Sequence, residues 1–154
     1  MSSNGVRLRV ILDTTFLLPT LGIDVGKVAT KALKRLGELD AQIFYSQFSI
    51  LESLWIAARS IKSPKFDLGR FEQGMRSITA GDRYERIYEN SDVFNRALEL
   101  YKSGHVDMID NILYANSAAF GTRFLTVDTN LRDFISENEL EMTLISPDVL
   151  VANT

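Results

Sequence analysis

The sequence has no cysteine and a single histidine, His105. The first absence removes thiol nucleophiles, disulfides and thiolate-bound zinc, and the second leaves at most one imidazole for any chemistry. Catalysis by this chain would therefore run on carboxylates. No apolar run of about 18 residues occurs, and the first residues show no charged region followed by an apolar stretch and a small-residue cleavage site. Membrane spanning and secretion are thus not expected, and the expected location is the cytoplasm. Nor is there a surplus of positive charge: 17 Lys and Arg against 20 Asp and Glu give a formal charge of -3. That balance argues against nonspecific coating of nucleic acid, while a local basic face would still suit a short segment. There are no repeats or low-complexity tracts. The 154 residues, 45% hydrophobic and 24% charged, suit one compact domain with its core over about residues 6–148.

Alternating strands and helices run through the chain. Residues 6–12 (VRLRVIL) become continuously apolar, as in a strand buried on both faces, and stop at Asp13. Thr15 to Leu21, with Pro19 inside it, reads as a brief helical turn leading to Gly22. A helix is expected from Asp24 as N-cap, with Val28, Ala32, Leu33, Leu36 and Leu39 inward and Lys27, Lys31, Lys34 and Arg35 outward. Gln42 to Ser46 reads as a strand, and Ser49 with Glu52 as the capping box of a helix reaching about Ile61. Ser63-Pro64 breaks the chain. A helix over 66–78, a strand over 84–88 and a helix over 92–102 follow. The next helix runs from about Asp107 to Phe120 and ends at Gly121. Arg123 to Val127 is a strand stopped by Asp128, then a short helix over about 129–136 and a last strand over 142–145 complete the pattern. This alternation implies an α/β fold with a mainly parallel central sheet flanked by helices.

Ligands of such sheets sit beyond the carboxyl ends of the strands. Asp13 and Asp128 each end a strand, and Glu52 lies early in the helix after another, so three segments deliver acids to one edge. Two carboxylates about 4 Å apart repel by roughly 4 kcal/mol at an effective dielectric near 20, so such a gathering calls for a cation. Oxygen ligands favour Mg²⁺ or Mn²⁺, and a metal so held suits phosphodiester hydrolysis. Each acid also has a structural role open to it. Asp13 fits a cap of the turn at Thr15, Glu52 the third residue of its capping box, Asp128 a cap of the next helix, and Asp107 with Asp110 the cap and third residue of another. Caps alone, however, do not require the acids to converge.

These residues resemble the PIN-domain family, which includes the ribonuclease toxins of toxin–antitoxin pairs and RNA-processing nucleases. VILDTTFLL matches the family's first strand and its Asp-Ser/Thr opening at Asp13, Thr14 and Thr15. SILESLWIAA supplies the helical glutamate, Glu52. DNILYANSAAFGTRFLTVD reproduces the most specific stretch, from Asp110 through Gly121 to Thr126 and Asp128. The resemblance covers nearly the whole chain. It implies a metal-dependent endoribonuclease in which Asp13, Asp110 and Asp128 hold Mg²⁺ or Mn²⁺, and Glu52 is a further ligand or orients the attacking water. Thr15 and Thr126 would support the acids through their hydroxyls. Asp107 is a possible addition to the metal ligands, with capping the favoured role. Asn130 stands where the family often has another acid, which weakens a second metal position.

The resemblance also implies an RNA substrate and an antitoxin or processing partner, and family members commonly self-associate, so a homodimer is expected. The apolar segments 15–21 and 47–61 offer an interface, though a core would use the same residues. A binding module without turnover is the alternative reading, in which the basic face of Lys27, Lys31, Lys34 and Arg35 would matter more than Asp13. Trp55 is read as core in preference to a base-stacking residue, and His105 as structural in preference to a general base. A haloacid dehalogenase-type phosphotransferase would need an Asp where Thr15 stands, and a receiver domain lacks the Glu52 arrangement.

Overall fold

The computed structural model describes residues 5–152. Five strands form one all-parallel sheet: β1 (Arg9–Leu12), β2 (Gln42–Tyr45), β3 (Tyr84–Arg86), β4 (Arg123–Leu125) and β5 (Leu144–Ile145), in the order β3-β2-β1-β4-β5. The chain first builds outward from β1 through β2 to β3, then returns to lay β4 on the opposite side of β1. The reversal falls between β1 and its two neighbours, and it opens a crevice beyond the strand ends.

Alternation along each strand divides the core. Val10, Leu12, Ile43, Tyr45 and Leu125 point to one face, where they pack with α1 (Lys27–Glu38), α2 (Gln47–Ser60), α3 (Leu68–Ala80) and Leu150 of α7 (Pro147–Ala152). Ile11, Phe44, Phe124 and Leu144 point to the other, against α4 (Ser91–Lys102), α5 (Met108–Phe120) and α6 (Thr129–Glu137). Right-handed crossovers account for the split, since the connections from β1 to β3 share one face and the return to β4 takes the other. Helix α4 packs over α5.

Several local expectations change in the structure. The Asp24 carboxylate accepts the Gly26 N–H at 2.8 Å in a turn before the helix, and Gly26 (φ 94°) is the residue preceding Lys27, so α1 begins later than an Asp24 cap would place it. Val28 and Leu39 then face outward, while Ala29, Ala32, Leu33 and Leu36 are buried. The cap of α2 is Ser46, whose hydroxyl accepts from Phe48 N; Ser49 is buried one turn in, so no Ser49–Glu52 capping box exists. Trp55 is 60% exposed and is not a core residue. Helix α7 was not expected from the pattern; its single turn and a half is too short to show a period. Gly121 ends α5 in the left-handed conformation (φ 66°), as expected. Among the described residues, no helix is long and apolar enough to cross a membrane.

Candidate metal centre at the strand ends

Asp13 follows β1 directly, and its N–H continues the sheet by donating to Leu125 O at 3.0 Å. Its side chain is tied at both oxygens: Oδ1 accepts from Thr14 N at 2.8 Å, and Oδ2 from the Thr126 hydroxyl at 2.7 Å. The same hydroxyl accepts the Asp128 N–H at 3.1 Å, so Thr126 couples Asp13, directly after β1, to Asp128, which stands three residues beyond the end of β4 because the strand stops at Leu125 and not at the expected Val127. Asp128 caps α6 by accepting from Leu131 N at 3.1 Å. Asp107 caps α5 by accepting from Asp110 N at 3.1 Å, and its side chain stays at the surface. The structural roles open to Asp13, Asp107 and Asp128 are therefore all taken up, and at Asp13 and Asp128 they operate together with convergence: the cap bonds aim each carboxylate.

Asp110 is the centre of the cluster. It is 9% exposed, and it shares a hydrogen bond with Asp128. Its pKa is pushed up to about 9, first by burial, then by repulsion from Asp13, by the bond with Asp128 and by Asp107. Asp13 is pushed up to about 6, chiefly by burial; the Thr126 and Thr14 bonds oppose the shift, and Glu52 and Asp128 add to it. Glu52, half-buried on α2, thus acts electrostatically on Asp13. Its capping role having been removed, no structural function competes for it. Four acids from four segments share one crowded region, and without a cation Asp110 keeps its proton.

One ring nitrogen of His105 and carboxylate oxygens of Asp110 and Asp128 all lie within 4.8 Å of one another. His105 was read as structural from the sequence, and it does hold its loop: its ring Nδ1 meets Asn111 Oδ1 at 2.7 Å, and its carbonyl accepts from Asn111 Nδ2 at 2.7 Å. The lone histidine of an otherwise irregular loop carries no sequence signal that places it beside Asp110. Arg132 is a second residue that the sequence reading did not single out. It lines a groove with Asp128, Thr126, Ser146 and Val28, and among the described residues it enters no ion pair. Its place is legible in hindsight as four positions after Asp128 on α6, one helical turn away.

The remaining candidates are more dispersed. Thr15 makes no side-chain hydrogen bond among the described residues, and Asn130 is exposed on the first turn of α6. Lys27, Lys31 and Lys34 are exposed on α1, and Lys27 and Lys31 line a shallow depression with Asp24, Gly26 and Thr30. Arg35 is turned toward α7, donating to Leu150 O at 3.2 Å and pairing with Glu38 at 3.3 Å.

A donor set of one buried and several half-buried carboxylates, with one imidazole and no thiolate, fits a divalent cation. No family model matches the sequence, and no curated protein is similar to it. Solved structures are similar in fold. A toxin–antitoxin complex from Klebsiella pneumoniae contains a chain that matches with a TM-score of 0.60 at 18% identity, over 90% of this chain and 97% of that one. A chain of VapBC2 from Rickettsia felis, solved bound to a DNA fragment from their promoter, matches with a TM-score of 0.62 at 13% identity, over 90% and 98%. The fold is thus the PIN-like one that the sequence motifs implied.

Proposed function

We propose that this PIN-like chain is a metal-dependent endoribonuclease, with Asp13, Asp110 and Asp128 holding a Mg²⁺ or Mn²⁺ ion and Glu52 orienting the attacking water. The observation that carries this reading is Asp110: a carboxyl enclosed by protein, repelled by Asp13 and bonded to Asp128, is costly to ionise except beside a cation. A merely structural residue at this place would be better served by an amide.

When bound, the cation supplies Lewis acidity toward a phosphoryl oxygen and toward the attacking water. The protein supplies the rest. Thr126 and Thr14 hold Asp13 in one orientation, and Asp128 is held by the first turn of α6. In this reading Glu52, on a separate helix, accepts the proton of a water attacking in line; the 3′ oxygen leaves and takes a proton from solvent, and the products carry a 5′-phosphate and a 3′-hydroxyl. Arg132 presents a guanidinium in the same groove, suited to a non-bridging phosphate oxygen. Lys27 and Lys31 continue the basic surface along α1, where flanking phosphates of single-stranded RNA would be neutralised despite the net negative charge.

A protein partner of the antitoxin kind belongs to the same proposal. The neighbours in fold come from toxin–antitoxin assemblies. On this chain, the outward face of α2 exposes Leu51, Leu54 and Trp55 at 49%, 47% and 60%, an apolar strip of the sort a partner helix covers. That strip flanks Glu52 on the same helix, so a bound partner would border the site.

The test is cleavage of mixed-sequence single-stranded RNA in Mg²⁺ or Mn²⁺, with EDTA and the Asp13→Asn protein as parallel controls. Cleavage lost in both controls, with 5′-phosphate ends on the products, is expected. Equal rates for Asp13→Asn and the unaltered protein would remove the assignment, and RNA binding without turnover would move it to a binding module.

A further inference from the structure

We propose that His105 is itself a ligand of the metal centre, binding through Nε2 beside Asp110 and Asp128, and that this nitrogen makes the site prefer Mn²⁺ to Mg²⁺. The inference rests on the metal-site reading above and departs from the oxygen-only ligation that the sequence implied. Its first support is the tautomer. Asn111 is fully buried next to Asp110 on α5, and its Nδ2 donates to the His105 carbonyl at 2.7 Å. That bond decides which way the Asn111 amide faces, leaving Oδ1 toward the ring, at 2.7 Å from Nδ1. A carbonyl oxygen only accepts, so Nδ1 carries the hydrogen and the neutral ring has its lone pair on Nε2. A histidine whose other ring nitrogen donates to a fixed oxygen is the usual form of a metal-binding imidazole.

The second support is distance. One ring nitrogen and the two carboxylate oxygens lie within 4.8 Å of one another, and Nδ1 is already engaged by Asn111; among the described residues the ring forms neither a hydrogen bond nor an ion pair with Asp110 or Asp128. Atoms bound about 2.1–2.2 Å from one ion are separated by roughly 3–4.4 Å, so the spacing is close to that of co-ligands. Phe134 packs against the ring at 5.3 Å between centroids and limits its rotation. The bond to Asn111 alone would anchor the loop and would place no requirement on the second nitrogen. The preference follows from donor chemistry: both ions favour oxygen, but Mg²⁺ demands near-ideal octahedral geometry and gives up its waters reluctantly, so replacing a water by a fixed imidazole costs it more than it costs Mn²⁺.

Because His105 is the only histidine in the chain, labelling tag-free protein with ¹⁵N-histidine marks this side chain alone. Mn²⁺ added to the EDTA-stripped, labelled protein should give an electron spin-echo modulation that differs from the ¹⁴N protein, reporting a directly bound imidazole. His105→Gln, checked for folding by circular dichroism, should bind Mn²⁺ about tenfold more weakly in calorimetry while its Mg²⁺ affinity stays within about twofold. Bound Mn²⁺ whose modulation is the same with either isotope would overturn the inference and leave the carboxylate site standing. Equal loss of Mn²⁺ and Mg²⁺ affinity in His105→Gln would overturn the preference. No Mn²⁺ binding at all, together with no RNA cleavage, would overturn both this inference and the reading beneath it.

Discussion

Helices α1 and α5 sit on opposite faces of the same sheet and are built by different rules. In α1, only Ala29, Ala32, Leu33 and Leu36 are buried, and the lysines between them face water. In α5, all eight residues from Asp110 to Ser117 are buried, because the sheet lies against one side of the helix and α4 against the other. A one-sided helix needs only an apolar stripe. An enclosed helix must find partners for its polar groups internally, and most side chains of α5 do: Tyr114 OH donates to Glu141 O at 2.7 Å, Asn116 Nδ2 to Glu89 at 3.3 Å, leaving only its Oδ1 unpaired, and the Ser117 hydroxyl lies 2.6 Å from both Tyr114 O and the Thr143 hydroxyl. Asp110 is the exception, since its partner is another acid. Enclosure is thus what turns an ordinary first-turn aspartate into a carboxyl that resists ionisation.

The strongest way to break this comparison is Asp110→Asn, which keeps shape and hydrogen bonding while removing the ionisable group. RNA cleavage should fall by more than the roughly 10- to 100-fold typical of an outer-shell partner, measured as initial rate in saturating Mn²⁺. In EDTA at pH 8 the same variant should melt at a higher temperature than the unaltered protein, because a carboxylate that resists ionisation is gone. On the α1 side, Leu36→Ala should cost about 2–5 kcal/mol, read by chemical denaturation, with no change in metal affinity.

A pH series sharpens the contrast. Asp13 at about 6 and Asp110 at about 9 both lie above the unfolded value of 3.8. The folded, metal-free protein therefore binds protons more tightly than the unfolded chain, and this contribution to stability is full below about 3.8 and lost as pH rises through 6 and then 9. In EDTA the melting temperature should fall between pH 6 and 9, and saturating Mn²⁺ should flatten or reverse that slope; an unchanged slope in Asp110→Asn would break the link to this residue. Asn111→Ala should cost about 1–3 kcal/mol, because it strands His105 Nδ1–H and the His105 carbonyl. The smallest effect is expected at Lys31→Ala: stability within about 0.5 kcal/mol, with a salt dependence of RNA binding shallower by about one ion.

Much of this molecule was legible in its residues. The strand endings at Asp13 and Asp128, the αL glycine at Gly121 and the spacing from Asp110 to Asp128 are local signals, because a strand end, a cap and a helix length are set by neighbours along the chain. The Asp24 cap and the Ser49 box misled for the same reason: both are valid local chemistry, displaced by Gly26 and by Ser46, which sit better at the points where packing begins the helices. Trp55 was assigned to the core by its apolar company, yet Leu51 and Leu54 share its exposed face.

The sequence by itself determined the order of strands and helices and which acids stand at the carboxyl ends of strands, since those follow from periodicity and from chain direction in a parallel sheet. Only the tertiary structure decided that Asp110 is enclosed, that Thr126 joins Asp13 to Asp128 across two strands, that His105 comes beside Asp110 and Asp128, and that Arg132 shares a groove with Asp128. Burial and electrostatic repulsion depend on segments far apart in the chain, and their strength is set by the low-dielectric space those segments close around a charge.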